Sequence, residues 1–269
     1  MLVLLTPSKK RIGAIFEGKN YLKDLFSAQA ELYARYRPGY AQELFDCILS
    51  FVRRNEAALD CATGNGQVAR ALSPHFQKVH AIDLSESQLR HAVRMHNIEY
   101  SVFRAEETPF DDHSFDLITV AQAYHWIDGV RFCREAARIG RPGAVVAIWG
   151  YDLSHSGSPI DAIVRRWNFE TLAPYWEAER QHVYSHYSNL PFDFERIPAP
   201  EFQIVVEWEC EELVGHMRTW SALQNMIRQA GDDAFRKVVE EIESSWGSDG
   251  RKRFTFRIFL KLGKVRGRP

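Results

Sequence analysis

Cysteine is scarce: four residues are spread over 269, and no two form a Cys-x-x-Cys pair. Cys47, Cys61, Cys133 and Cys210 therefore suggest neither a disulfide frame nor a metal site. Three of them have apolar neighbours, where a thiol packs as a small hydrophobe. An excess of charge of one sign is also missing, since 34 Lys and Arg face 35 Asp and Glu for a formal net charge of -1. Proteins that hold nucleic acid by its phosphates carry a basic excess, so no nucleic-acid partner is expected. The one basic cluster, Lys261, Lys264, Arg266 and Arg268, reads as a solvated terminus. Long apolar runs are lacking too. Met1 to Leu5 is apolar, but Pro7 and Lys9-Lys10-Arg11 cut it short of a signal segment or a membrane span. The expectation is a cytoplasmic protein with no membrane partner.

What is present is a globular composition, 45% hydrophobic and 26% charged, with a clear rhythm. From Glu56 to Gly150 short apolar runs alternate with amphipathic stretches, the pattern of βαβ units around a parallel sheet. The runs are Ala57 to Asp60, Val79 to Asp83, Ile98 to Phe103, Asp116 to Val120 and Ala144 to Trp149. Between them, Val68, Leu72 and Phe76 share a helical face. Ser85-Glu86-Ser87-Gln88 reads as a capping box ahead of buried Leu89, Ala92 and Val93. A helix after Asp128 turns Phe132, Cys133, Ala136 and Ile139 inward and stops at Arg141-Pro142-Gly143. Beyond Gly150 the chain becomes rich in Trp, Tyr, His and Pro, then gives a strand at Phe202 to Trp208, helices near 215–230 and 232–246, and a last strand at Phe254 to Val265. The prediction is a doubly wound α/β protein. Its parts are an N-terminal helical cap (1–52), a Rossmann-like core (53–151), a helical lid insertion (152–200) and the closing strands and helices (201–269).

The chemistry centres on Leu59-Asp60-Cys61-Ala62-Thr63-Gly64-Asn65-Gly66-Gln67. A strand ends in an acid, and two glycines lead into a helix whose N-terminal N–H groups face the crevice at the sheet's carboxyl edge. Asp83 stands 23 residues further on (83 − 60), at the end of the next strand, where one carboxylate can accept both hydroxyls of a ribose. Glycine turn and strand-end acid together describe a nucleoside site. A dinucleotide site asks for Gly-x-Gly-x-x-Gly to seat a pyrophosphate. Here Ala69 holds the third glycine position and Ala62 stands two after Asp60, with no phosphate-binding cation following. A phosphate-free adenosine ligand fits better.

These residues resemble motif I of the class I S-adenosylmethionine-dependent methyltransferases. The likeness continues through Ala81 to Ser85, Ala105 to Phe110, Ser114 to Ile118, Ala121 to Trp126 and Arg141-Pro142-Gly143. More narrowly, Tyr33 to Pro38 and Gln122-Ala-Tyr-His-Trp126 are similar to the small-molecule branch that includes the trans-aconitate methyltransferases. The resemblance implies a mostly parallel seven-stranded sheet with an antiparallel last strand, S-adenosylmethionine as cofactor, S-adenosylhomocysteine as product and a small-molecule methyl acceptor. It implies that Asp60, Ala62, Gly64 and Gly66 border the methionyl part, with Asp83 on the ribose diol and Leu84 on the adenine face. Ala105 and Glu106 would meet the adenine edge, Gln122 would present backbone near the sulfonium, and Tyr33 and Arg37 would cap the methionine carboxylate.

Two departures stand out: Ala62 replaces the usual first glycine, and Arg104 replaces an aspartate that meets the adenine amino group, with Glu106 the candidate substitute. Glu106 also reads as an exposed loop carboxylate, and Arg37 as a surface arginine. His125 reads either as a general base or as a packed histidine. The aromatics of 152–200 read first as core, with Tyr175, Trp176 and Tyr187 available to line an apolar chamber. A nucleic-acid methyltransferase is disfavoured by the neutral charge and by the lack of an Asn/Asp-Pro-Pro-Tyr motif. A non-catalytic cofactor-binding or regulatory protein on the same fold is disfavoured by the intact Asp60, Gly64, Gly66 and Asp83 set.

Overall fold

The computed structural model describes residues 35–248 and 250–267. The cap before residue 35, Tyr33 included, lies outside the described residues. Helix α1 (Gln42–Ser50) precedes strand β1 (Ala57–Cys61). Then follow α2 (Gln67–Leu72), β2 (Lys78–Ile82), α3 (Glu86–Arg90), β3 (Ile98–Ser101), β4 (Phe115–Ala121), α4 (Gly129–Ile139) and β5 (Gly140–Tyr151). Beyond β5 come α5 (Ile160–Arg166), α6 (Arg180–Tyr184), β6 (Glu195–Ile197) and β7 (Phe202–Trp208). The chain closes with α7 (Cys210–Arg218), α8 (Ser221–Ala230), α9 (Asp233–Trp246) and β8 (Lys252–Lys264).

The sheet runs in the order β3-β2-β1-β4-β5-β8-β6, with β7 also paired to β8. β1 to β5 are parallel, and β8 runs antiparallel to β5, β6 and β7. The expected doubly wound sheet with an antiparallel last strand is therefore present. The strand count differs: β7 pairs with Lys252 to Ile258 and β6 with Leu262 to Lys264, so two strands share the seventh position along β8. The short β6 lies in a stretch where only helix was expected, because its three residues carry too little alternation to show in sequence.

Side-chain alternation along each strand divides the core between the two faces of the sheet. Ala58, Leu117, Val145, Ala147 and Trp149 pack with α1, α2, α5 and α7 to α9 on one side. Leu59, Cys61, Ile118, Val120, Val146 and Ile148 pack with Phe132, Cys133, Ala136 and Ile139 of α4 on the other. α4 ends at Ile139 rather than at Pro142, because β5 already begins at Gly140. One inward expectation is corrected: Val93 is 43% exposed. α3 stops at Arg90, with Ser85 Oγ capping Gln88 N–H at 3.3 Å, so the helical face does not extend to residue 93. No described helix is long and apolar enough to cross a membrane.

The amino-terminal edge of the sheet is tied by Asp116. Its carboxylate accepts from the N–H groups of Glu56 (3.0 Å) and Ala57 (3.1 Å) and from the Arg141 guanidinium (2.7 Å), and it is buried. Removing it strands two backbone donors and a cation. Asp116→Ala is expected to cost about 3 kcal/mol in denaturant unfolding. Asp116 sits at the edge opposite the carboxyl ends of the strands, so the loss should appear in stability and leave the far edge of the sheet unchanged in hydrogen exchange of the folded state.

Candidate active site

The strand order reverses between β1 and β4, which opens a crevice beyond their carboxyl ends. β1 leads into a bend in which Ala62 (φ 51°), Gly64 (φ 59°) and Gly66 (φ 81°) are all left-handed. That conformation costs a residue with a Cβ about 1–2 kcal/mol, which is the physical reason glycine is the usual residue where Ala62 stands. Gly66 has a second reason: a Cβ there would overlap the Tyr100 hydroxyl. The bend is pinned by Thr63 N–H donating to Ile82 O and Gly66 N–H donating to Thr63 O, both at 3.0 Å.

Asp60 lies beneath the bend and is 1% exposed. Its two oxygens accept from Thr63 Oγ1 and from Thr119 Oγ1 (2.8 Å), so it braces the bend against β4. Burial pushes its carboxyl up to about 6 from an ordinary 3.8, against the pull of those hydroxyls. Asp83 is placed differently. From the end of β2 it reaches across to Gly64 N–H and also accepts from Ser85 N–H, each at 2.8 Å. Leu84 N–H is a third backbone donor to it, and of the roughly four lone-pair positions on a carboxylate part remains open. Burial raises this acid too, opposed by those backbone donors.

Leu84 is 44% exposed beside Asp83, and Ala105 is buried. Glu106 is not an exposed loop acid. It is buried, ion-paired with Arg104 at 3.0 Å, and it accepts from Asp128 N–H at 3.2 Å. Arg104 and Glu106, read separately from sequence, thus form one unit at the entry to α4.

Gln122, at the end of β4, is also left-handed (φ 53°). Its N–H donates to Trp149 O (2.7 Å) and its Oε1 accepts from Tyr151 N–H (2.8 Å), which fixes the backbone just past the strand. Arg37 donates to Tyr151 Oη (2.5 Å) and to Thr219 O (3.4 Å). His125 is buried with Nδ1 3.0 Å from Tyr187 Oη. Burial first, then Arg180, His182 and Arg37, hold its imidazole well below the usual histidine range, so the ring is neutral.

Arg37, Gln122, His125 and Tyr151 line a concave chamber at the ends of β4 and β5. Its remaining wall includes Trp126, Asp152, Trp176, Arg180, His216 and Trp220. Of the aromatics considered from sequence, Trp176 lines it. Tyr187 is buried behind His125, and Tyr175 offers its carbonyl to Asn225 Nδ2 (3.0 Å) instead. Arg180, Asp152, His216 and Trp220 were missed. Their positions follow from long-range packing and carry no local spacing signal.

Residues 59–148 match the family model described as a methyltransferase domain. A solved structure of a candidate type II methyltransferase from Anaeromyxobacter dehalogenans is 35% identical, with a TM-score of 0.79 over 87% of this chain and 100% of that one. The chain belongs to the S-adenosylmethionine-dependent methyltransferases. It is also similar to a candidate methyltransferase of Dictyostelium discoideum, 28% identical over 249 residues, 90% of this chain and 95% of that one. An uncharacterized methyltransferase of Mycobacterium tuberculosis is 36% identical over 121 residues, 44% of this chain and 48% of its own.

The bend of this methyltransferase suits the family's cofactor. A Cβ on Gly64 would meet only Gln88 Oε1, at 3.9 Å, so backbone there is open to a ligand. Asp83 still has acceptor capacity beside it, and no cationic residue occupies the bend from Asp60 to Gln67, in keeping with a ligand lacking phosphates.

Asp60 gives this methyltransferase an unusual pH response. The acid titrates near 3.8 when unfolded and at about 6 when folded, so the folded state keeps its proton longer. The resulting stability is fully present below about pH 4 and is lost as pH rises through about 6, a change of roughly 3 kcal/mol. Unfolding curves of the wild type and Asp60→Asn between pH 4 and 7 should differ by that slope. Parallel curves contradict it.

Proposed function

We propose that this methyltransferase methylates a small molecule held in the chamber beyond β4 and β5. The observation that carries the reading is the chamber itself. It is a concave space with aromatic and polar walls, and it adjoins Gln122 at the end of the strand beside the bend. A formal net charge of -1 supports the same choice over a nucleic-acid acceptor.

In this reading Asp83 accepts the two ribose hydroxyls on its remaining lone pairs, and Leu84 covers the adenine face. Ala105 and Glu106 border the adenine edge. The backbone of Ala62, Gly64 and Gly66 lies along the methionyl chain, with Asp60 holding the bend from below. The backbone of Gln122 borders the sulfonium. Arg37 is the described candidate for the methionine carboxylate, and Tyr33 keeps the matching role assigned from sequence. S-adenosylmethionine, when bound, supplies a methyl group on a sulfonium leaving group.

The chain's own work is to hold the acceptor in line, exclude water and take a proton where the acceptor carries one. Trp126, Trp176 and Trp220 serve the second task. For the third, His125 is neutral, as a base needs to be. In the tautomer that donates Nδ1–H to Tyr187, Nε2 is left to accept the proton. Residues 152–200 act as the lid over this space.

Two variants separate the roles. Asp83→Ala should weaken S-adenosylhomocysteine about 100-fold or more in calorimetry, since two charge-assisted hydrogen bonds are lost. Unchanged affinity removes Asp83 from the site. His125→Gln should lower turnover about 100-fold on a protic acceptor with cofactor affinity intact, and unchanged turnover retires the base. A tritiated-methyl screen against metabolite extracts identifies the acceptor by product mass. Transfer to added RNA or DNA alone would overturn the small-molecule reading.

A further inference from the structure

Arg180 stands at the start of α6 and lines the chamber. Its guanidinium lies over the ring of Trp176 at 4.6 Å and the ring of Tyr184 at 5.3 Å. Both rings are themselves held by one residue. Trp176 Nε1–H donates to Asn168 O (3.1 Å), and Asn168 Nδ2 donates to Tyr184 Oη (3.2 Å). Asn168 is buried in a π-helical turn, Trp167–Thr171, that continues α5. Such turns cost helical regularity and are common at functional sites. Here the turn places Asn168 so that its backbone carbonyl holds one ring and its side-chain amide the other.

Among the described residues no carboxylate lies within ion-pair distance of the Arg180 guanidinium, and its Nε is buried without a hydrogen-bond partner. Nearby acids are occupied elsewhere. Glu177 accepts from Ser221 Oγ (2.7 Å) and Asn225 Nδ2 (3.0 Å), and Asp152 pairs with His186 at 2.8 Å. Arg37, the other cation of the described lining, donates to Tyr151 Oη and Thr219 O and is assigned above to the methionine carboxylate. A buried donor left unmatched is costly, and an arginine oriented by stacking rather than by an acid keeps its planar fork available.

We infer that Arg180 is a specificity-determining residue that binds a negatively charged group, a carboxylate or a phosphate, on the methyl acceptor. The inference rests on the chamber being the acceptor site. His125 and His216 are both held neutral by burial and by Arg37 and Arg180, so among the described lining the charge is carried by Arg37, Arg180 and Asp152, the last paired with His186. The indole faces of Trp176 and Trp220 exclude water from the pair that forms. An arginine that merely riveted the lid would stack in the same way but would leave anion binding unaffected.

The test uses the full chain saturated with S-adenosylhomocysteine, so that only the acceptor side is free. Succinate, inorganic phosphate and the uncharged succinamide are titrated by calorimetry into the wild type, Arg180→Met and Arg180→Lys. Methionine keeps the apolar stem against Trp176, and lysine keeps the charge without the fork. Succinate or phosphate should bind the wild type, about tenfold or more tighter than Arg180→Met, with Arg180→Lys between. Succinamide should not bind, and S-adenosylhomocysteine affinity should agree within about twofold across the three proteins. Which anion binds better identifies the group. Equal anion binding by the wild type and Arg180→Met overturns the inference, as does no binding of either anion to the wild type. Weakened S-adenosylhomocysteine in Arg180→Met assigns the arginine to the cofactor and equally overturns it. A wild type that fails to bind S-adenosylhomocysteine at all instead defeats the underlying reading of the site.

Discussion

The hydrogen bond from Gly64 N–H to Asp83 spans the gap between the ends of two parallel strands, and the site depends on it. The bend after β1 contains three left-handed residues and cannot hold itself by regular pairing. A carboxylate arriving from β2 supplies the missing acceptor from one side, while Asp60 supplies it from below through Thr63 and Thr119. The two acids differ in what is left over. Asp60 is sealed from solvent, so its burial raises its affinity for protons and it acts as a brace. Asp83 is only partly enclosed, so the bond that shapes the bend leaves part of its carboxylate at the crevice, the part that the proposed ribose contact uses.

That arrangement was largely legible in sequence because its parts are local. A strand, a Gly-x-Gly turn and an acid at the end of the next strand follow from period and spacing. What spacing alone did not show was that Ala62 adopts a conformation normally left to glycine. It also did not show that Asp60 is fully enclosed: both hydroxyls that enclose it, Thr63 and Thr119, are invisible as partners until β1 and β4 are paired. The Arg104–Glu106 unit illustrates the same limit. Read singly, one residue was a departure from the family pattern and the other an ambiguous loop acid. Together they form a buried ion pair that also receives the first N–H group ahead of α4.

The chamber was much less legible, for a reason of topology. Its walls come from residues 37, 122–126, 151–153, 176–180, 216–221 and 256, which no window of sequence brings together. Burial of aromatics in 152–200 was readable as composition. Which rings would face a ligand and which would face core was not, since Trp176 and Tyr187 look alike to a composition argument. The structure separates them by their partners: Trp176 carries a cation, and Tyr187 backs a histidine.

This contrast bears on how one fold accommodates different acceptors. The family match stops at residue 148, just before the strand end from which most of the chamber is built. Within that span the bend, the strand-end acid and the left-handed Gln122 are set by parallel pairing and short turns. Beyond it, the lining comes from short helices and turns packed over the carboxyl edge, where a changed side chain alters the chamber without disturbing β1 to β4. Arg180, with its guanidinium over the rings of Trp176 and Tyr184, belongs to this second part. On the proposed reading, acceptor identity therefore rests with residues 152–200 and with α7 to α8, and the donor site with the sheet. Arg37, Gln122 and His125 lie where the two meet.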